Sequence, residues 1–225
     1  MKTINNATSG TITLNDYTVA LSGSIADLTA ALSGTFGAAY TGTATASGTQ
    51  SGATGVSAVN ALAALTTGNV TATVTGTAAQ LNSLNTAATD VIAVEVSDTH
   101  TLSQLKTINN ATAGTITLND YGVALSGSSA DGTAALGGTF ASAYTGAVTL
   151  SDAHTLAQLK AINGATTGTI TLNDYTVALS GSSADVTAAL GGTFASAYTG
   201  AVTLSDAHTL AQLKAINGAT TGTIT

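Results

Sequence analysis

Ser151-Asp152-Ala153-His154, repeated as Ser205-Asp206-Ala207-His208, contains the side-chain types of a hydrolytic triad. A triad works when hydroxyl, imidazole and carboxylate converge from separate places, with an oxyanion hole beside them. Neighbouring residues just upstream of a helix start read instead as a turn and cap region, where an aspartate suits the positive end of the helix dipole. No catalytic residue is assigned, and the chain is not expected to be an enzyme.

Other chemistry-bearing residues recur in register. Asp98, Asp152 and Asp206 share one phase, Asp120 and Asp174 a second, Asp131 and Asp185 a third. Stacked carboxylates could hold calcium between layers. The sequence has neither a Gly-Gly-x-Gly-x-Asp nonapeptide nor an EF-hand loop, and each aspartate also suits a cap or turn. No cofactor or metal site is therefore assigned, with calcium kept as the open candidate. One histidine per repeat is too few for a closed zinc site.

Thr-x-Thr pairs occur at Thr11/Thr13, Thr115/Thr117, Thr169/Thr171 and Thr223/Thr225. Regular threonine arrays on a flat repeat face suit ice binding. Here the array would fall on every second layer, about 9.6 Å apart, and threonine is a favoured residue on any exposed strand face. Asn5, Asn109, Asn163 and Asn217 share a phase that suits a ladder satisfying backbone groups. Tyr121 and Tyr175, with the pairs Phe140/Tyr144 and Phe194/Tyr198, read as core or groove filling, with glycan binding as the sharper alternative. Asn110-Ala111-Thr112 matches a glycosylation acceptor, a pattern too short to carry weight.

What must position these residues is a repeat. Residues 106–159 and 160–213 differ at five positions only, the copy restarts at Lys214, and residues 1–41 are a worn version of its opening. Self-similarity at such a period signals repeat architecture. Capping boxes divide it further. Thr101…Gln104, Ser128…Asp131, Thr155…Gln158, Ser182…Asp185 and Thr209…Gln212 start 27 residues apart and each predicts a helix start. Ser24…Asp27, Ser57…Asn60 and Thr77…Gln80 predict three more at irregular spacing. Asn163-Gly164 and Gly191-Gly192 predict helix stops with left-handed glycine. Period-two segments 69–74, 91–96, 169–172, 177–179 and 202–204 read as strands, with a turn at Asn173-Asp174.

The expected fold is an α/β repeat solenoid, with about one parallel strand and one short helix per coil of roughly 27 residues. Strands sit closer together than helices can pack, so it is expected to curve or twist. Residues 1–225 read as one continuous solenoid, diverged over 1–100 and regular over 101–225, and as a segment of a longer array.

Composition narrows the function. Charged residues make up 7% of the chain and the net charge is −7, with four Lys+Arg in all. That balance argues against nucleic-acid binding, which needs a dense basic footprint. There is no cysteine, hence no disulfide or thiolate metal site. No run approaches the roughly 18 apolar residues of a membrane span.

The phrases 69–81 (NVTATVTGTAAQL) and 181–190 (GSSADVTAAL) resemble the tandem repeats of giant bacterial surface and secreted proteins, as in marine cyanobacteria. The resemblance covers essentially the whole chain and transfers no catalytic residue. It implies a structural or adhesive role in an extracellular fibre or at the cell surface. Self-association through open solenoid ends is the expected partnership. A ligand-binding module for ice, glycan or calcium is the alternative.

Overall fold

The computed structural model describes residues 1–225, which form two compact units. The first comprises Met1–His100, Thr107–Asn119 and Gly138–Ala141; the second comprises Thr101–Lys106, Asp120–Gly137 and Ser142–Thr225. The architecture is mixed α/β, every strand pairing is parallel, and no sheet closes into a barrel.

In the first unit, helix α1 (Lys2–Ala7) is followed by β1 (Leu21–Ser24), α2 (Ile25–Leu32), β2 (Ala44–Ser51), α3 (Gly52–Ala63), β3 (Val70–Gly76), α4 (Ala78–Leu81) and β4 (Val91–Val96). Helix α5 (Leu102–Asn110) and β5 (Ile116–Leu118) come next, and the sheet runs β1-β2-β3-β4-β5 in chain order. Alternation sets the inner face. Val70, Ala72 and Val74, then Ile92, Val94 and Val96, are buried, and the residues between them point outward. Leu28, Leu32, Val56, Val59, Leu62 and Leu81 cover that face from the helices. Register slips once, where Thr45 pairs with Thr71 but Thr49 with Thr73. Gly48 sits inside this bulge at φ +74°, a conformation open to glycine.

The second unit carries β6 (Leu125–Gly127), α6 (Ser129–Leu136), β7 (Val148–Leu150), α7 (Leu156–Ala165), β8 (Ile170–Thr171), β9 (Leu179–Gly181), α8 (Ser183–Leu190), β10 (Val202–Leu204) and α9 (Leu210–Ala219). One 54-residue copy therefore contributes three strands to two helices, not the expected one-to-one ratio. The Asn173-Asp174 corner explains the extra strand. Ile170 pairs back to Val148 and bridges forward to Phe194, whereas Leu179, beyond the corner, opens a second sheet with Val202. Asp174 holds that corner by accepting from the Thr176 N–H and hydroxyl, both at 2.7 Å.

Seven of the eight expected helix starts carry their cap. Ser24, Ser128 and Ser182 accept from the N3 amide, and Thr77, Thr155 and Thr209 form full capping boxes with Gln80, Gln158 and Gln212. Thr101 and Gln104 make the same reciprocal bonds. Ser57 does not: it lies inside α3, which begins after Ser51. An apolar-rich helix of this length can start upstream of a cap-like pair because packing of Val56, Val59 and Leu62 decides its extent.

The expected left-handed glycine stops are also absent. Gly48 and Gly52 are the glycines with positive φ, and α7 runs through Gly164 to an extended Thr166. The glycines at the helix ends serve close approach instead. A Cβ on Gly192 would lie 1.7 Å from Asn163 Oδ1, and one on Gly138 would lie 1.8 Å from Asn109 Oδ1.

Candidate functional site

The Ser-Asp-Ala-His segment does not assemble a triad. Ser151 gives its backbone N–H to the Gly127 carbonyl at 2.8 Å. Asp152 turns to the preceding helix, where Oδ1 accepts from the Ser129 N–H at 2.7 Å. Asp206 does the same for Ser183 at 2.8 Å and Asp98 for Ala78 at 2.6 Å. These aspartates thus cap α6, α8 and α4, each a segment back in sequence, and not the helix that follows them. An unpaired N-terminal amide and the positive helix end both favour a carboxylate there.

His154 is buried at 4% exposure, with Nε2 3.4 Å from the Tyr198 hydroxyl and the rings edge to face. Tyr198 commits its hydroxyl hydrogen to the Val177 carbonyl at 2.5 Å, so Nε2–H must donate to it. Nδ1 faces no hydrogen-bond partner. Burial pushes the imidazole below its usual range, against the opposing charges of Asp174 and Asp152. Burial also pushes the Tyr198 phenol up to about 12, so both groups are neutral near pH 7. The imidazole is thus held against a phenol while its hydroxyl and carboxylate neighbours turn elsewhere, so the three do not converge.

The other aspartates are engaged as well. Asp131 and Asp185 pair with Lys106 and Lys160 at 2.5 Å, and Asp27 pairs with Lys2. The lysine, followed by the capping serine, holds each carboxyl below the usual range. The Thr176 N–H lowers Asp174 similarly, and Asp120 accepts from the Gly122 N–H at 2.7 Å. No group of three or more His, Asp or Glu side chains converges to hold a metal ion.

Two of the four asparagines in the expected ladder bond to backbone carbonyls. Asn5 Nδ2 donates to the Ala30 carbonyl at 2.7 Å and Asn163 Nδ2 to Ala188 at 2.6 Å. The tyrosines staple backbone too: Tyr144 donates to Val123 at 2.5 Å, and Tyr40 donates to Val19. With Tyr40, Tyr144 and Tyr198 buried, this subset is core.

Hydroxyls form closer rows than the Thr-x-Thr spacing implied. Adjacent strands place Ser126, Thr149 and Thr171 side by side, and Ser180 beside Thr203, whose hydroxyl lies 3.2 Å from that of Thr225. Each row therefore has a hydroxyl on every strand, about 4.8 Å apart, because the serine and threonine phases interleave.

One recurring device escaped the sequence reading. Thr66, Thr112, Thr166 and Thr220 each donate a hydroxyl to a carbonyl of the adjacent strand segment, at Gly42, Ile92, Gly146 and Gly200, and accept from the glycine two residues on. A Cβ on Gly168 would stand 2.2 Å from the Gly146 carbonyl oxygen, so the clasp requires glycine there. The Thr-x-Gly triplet that follows α3, α5, α7 and α9 was the available signal.

The cavities add no catalytic centre. One, of about 720 Å³, is an open groove lined by Leu156, Lys160, Gly181 and Asp185, whose charged groups already pair with each other. No helix is long and apolar enough to cross a membrane. No protein-family model, curated protein or solved structure matches the chain.

Proposed function

We propose that this chain is a structural or adhesive repeat segment of an extracellular bacterial fibre or surface protein, built as a solenoid of parallel strands and short helices that assembles end to end. One observation carries the reading: the same side-chain contacts recur at fixed offsets. Lysine meets aspartate 25 residues on at Lys2, Lys106 and Lys160, and tyrosine meets a carbonyl 21 residues back at Tyr40, Tyr144 and Tyr198. Three lysines, three tyrosines and the aspartates Asp98, Asp152 and Asp206 are used to hold one segment to the next. Such construction suits extension, and the proposal assigns no catalytic residue, cofactor or nucleic-acid partner. Electron microscopy of the purified chain across a concentration series tests it. Unbranched filaments of constant width are expected; discrete particles at every concentration would refute it.

The hydroxyl rows favour a second reading, a surface that binds a regular polar lattice such as ice or a glycan. Thermal hysteresis or glycan-array signal that disappears on Thr149→Val with Thr203→Val would support it. Unchanged behaviour of that double variant would exclude those rows.

A further inference from the structure

The segment between β3 and β4 departs from the repeat, and Asp90 marks the departure. Ala113 donates its backbone N–H to the Asp90 carbonyl, as Thr67 does to Tyr40 and Thr167 to Tyr144. The Thr112 hydroxyl meets the same carbonyl at 3.1 Å, as the Thr66 hydroxyl meets that of Tyr40 at 3.2 Å. Asp90 therefore holds the register of the buried tyrosines, and it is buried with them at 4% exposure. A tyrosine in this place reaches the carbonyl of Val19 or Val123. The shorter Asp90 reaches two backbone N–H groups instead, that of Val70 at 2.7 Å through Oδ1 and that of Ala87 at 2.9 Å through Oδ2.

A buried carboxylate is costly unless it is well hydrogen-bonded. It has about four acceptor sites, and the two N–H bonds leave the rest open. A cavity of about 230 Å³ lies alongside, with Asn60, Asn69, Asn85, Thr86 and Thr89 in its polar wall. Asn69, Asn85 and Thr89 are exposed, so their amides and hydroxyl face the solvent side.

That wall is held in place by its own bonds. Asn60 accepts from the Asn85 N–H at 2.8 Å and donates to the Ser83 carbonyl at 2.9 Å. Thr86 donates its hydroxyl to the Ala111 carbonyl. Asp90 closes the turn through Ala87. A loop ordered before binding loses less entropy on binding.

The volume lies below the roughly 300–1,000 Å³ of pockets for drug-sized ligands and suits a single small ring. Its amides and hydroxyls both donate and accept, and its carboxylate accepts only. The hydroxyls of a neutral sugar match that mixture. A metal ion matches it less well, because one carboxylate is present and no group of three or more His, Asp or Glu side chains converges.

We propose that this cavity is a binding site for a neutral hexose ring. Asp90 accepts from sugar hydroxyls, and the amides of Asn69 and Asn85 bond the hydroxyls beside them. The site is separate from the hydroxyl rows and independent of end-to-end assembly.

Saturation-transfer NMR on the full chain, with the methyl glycosides of glucose, mannose and galactose, tests it. At least one glycoside should receive saturation and should shift the backbone amides of residues 85–90. The double variant Asn69→Ala with Asn85→Ala should keep the wild-type melting temperature, because both side chains are exposed, and should lose the signal. Asp90→Asn should weaken binding about tenfold or more, through loss of a charged acceptor. No transfer to any of the three glycosides, or transfer that survives in the double variant, would overturn the proposal. Shifts of the same amides with calcium chloride and with no glycoside would overturn it in favour of a cation.

Discussion

Residues 151–165 and 205–219 are identical in sequence, yet they are not in the same environment. Both form the same capped helix, α7 and α9, with the same bonds between Thr155 and Gln158 and between Thr209 and Gln212. His154 is 4% exposed and His208 is exposed; Leu159 is fully buried and Leu213 half-buried; Lys160 has an aspartate and Lys214 has none. Local structure is thus written within each copy, and burial and charge pairing are supplied by the following segment. A repeat of this kind is stabilised chiefly by its neighbours.

Leucine truncation should separate the two copies most widely. Leu159→Ala removes a side chain buried on all sides and should cost about 2–5 kcal/mol in urea denaturation. Leu213→Ala in single chains should cost well under half as much. Equal losses would show that the two helices share one environment after all.

Cap removal should do the opposite and give matching results. Thr155→Ala and Thr209→Ala each lose an N-cap and half of a capping box, worth about 1 kcal/mol. Amide exchange in α7 and α9 should accelerate by similar factors, since both caps are satisfied within their own copy.

Acid should act through His154. Burial places the folded His154 pKa below the ordinary value of about 6.5, so the unfolded chain binds the proton more readily. Its share of stability is intact above that value and is lost as pH falls below it. Denaturation midpoints from pH 7.5 to 5 should fall less for His154→Gln than for wild type.

The smallest contrast is ionic. Lys160→Ala breaks an exposed pair that salt screens, and Lys214→Ala breaks none in single chains. Their midpoints should differ slightly at low salt and coincide at high salt.

Helix starts were legible in the sequence because a capping box is a contact within four residues, and Thr155, Ser182 and Thr209 all carry theirs. The buried strand faces were legible from period two, as at Val70–Gly76 and Val91–Val96. What lay beyond local reading was contact between segments. Asp152 looks like a cap for the helix after it, but the vacant amide it meets, that of Ser129, lies 23 residues back. Gly164 and Gly191 look like left-handed stops, yet neither has positive φ; a Cβ on Gly164 would meet nothing within 4 Å, and it is the next glycine, Gly192, that an asparagine on another helix constrains. The Thr166 clasp and the extra strand at Leu179 are likewise set by which segment lies alongside.

The central claim is that the following segment completes each copy. Urea denaturation of Leu159→Ala against Leu213→Ala tests this most directly. The account predicts a loss of about 2–5 kcal/mol for Leu159→Ala and well under half of that for Leu213→Ala. Equal losses would contradict it.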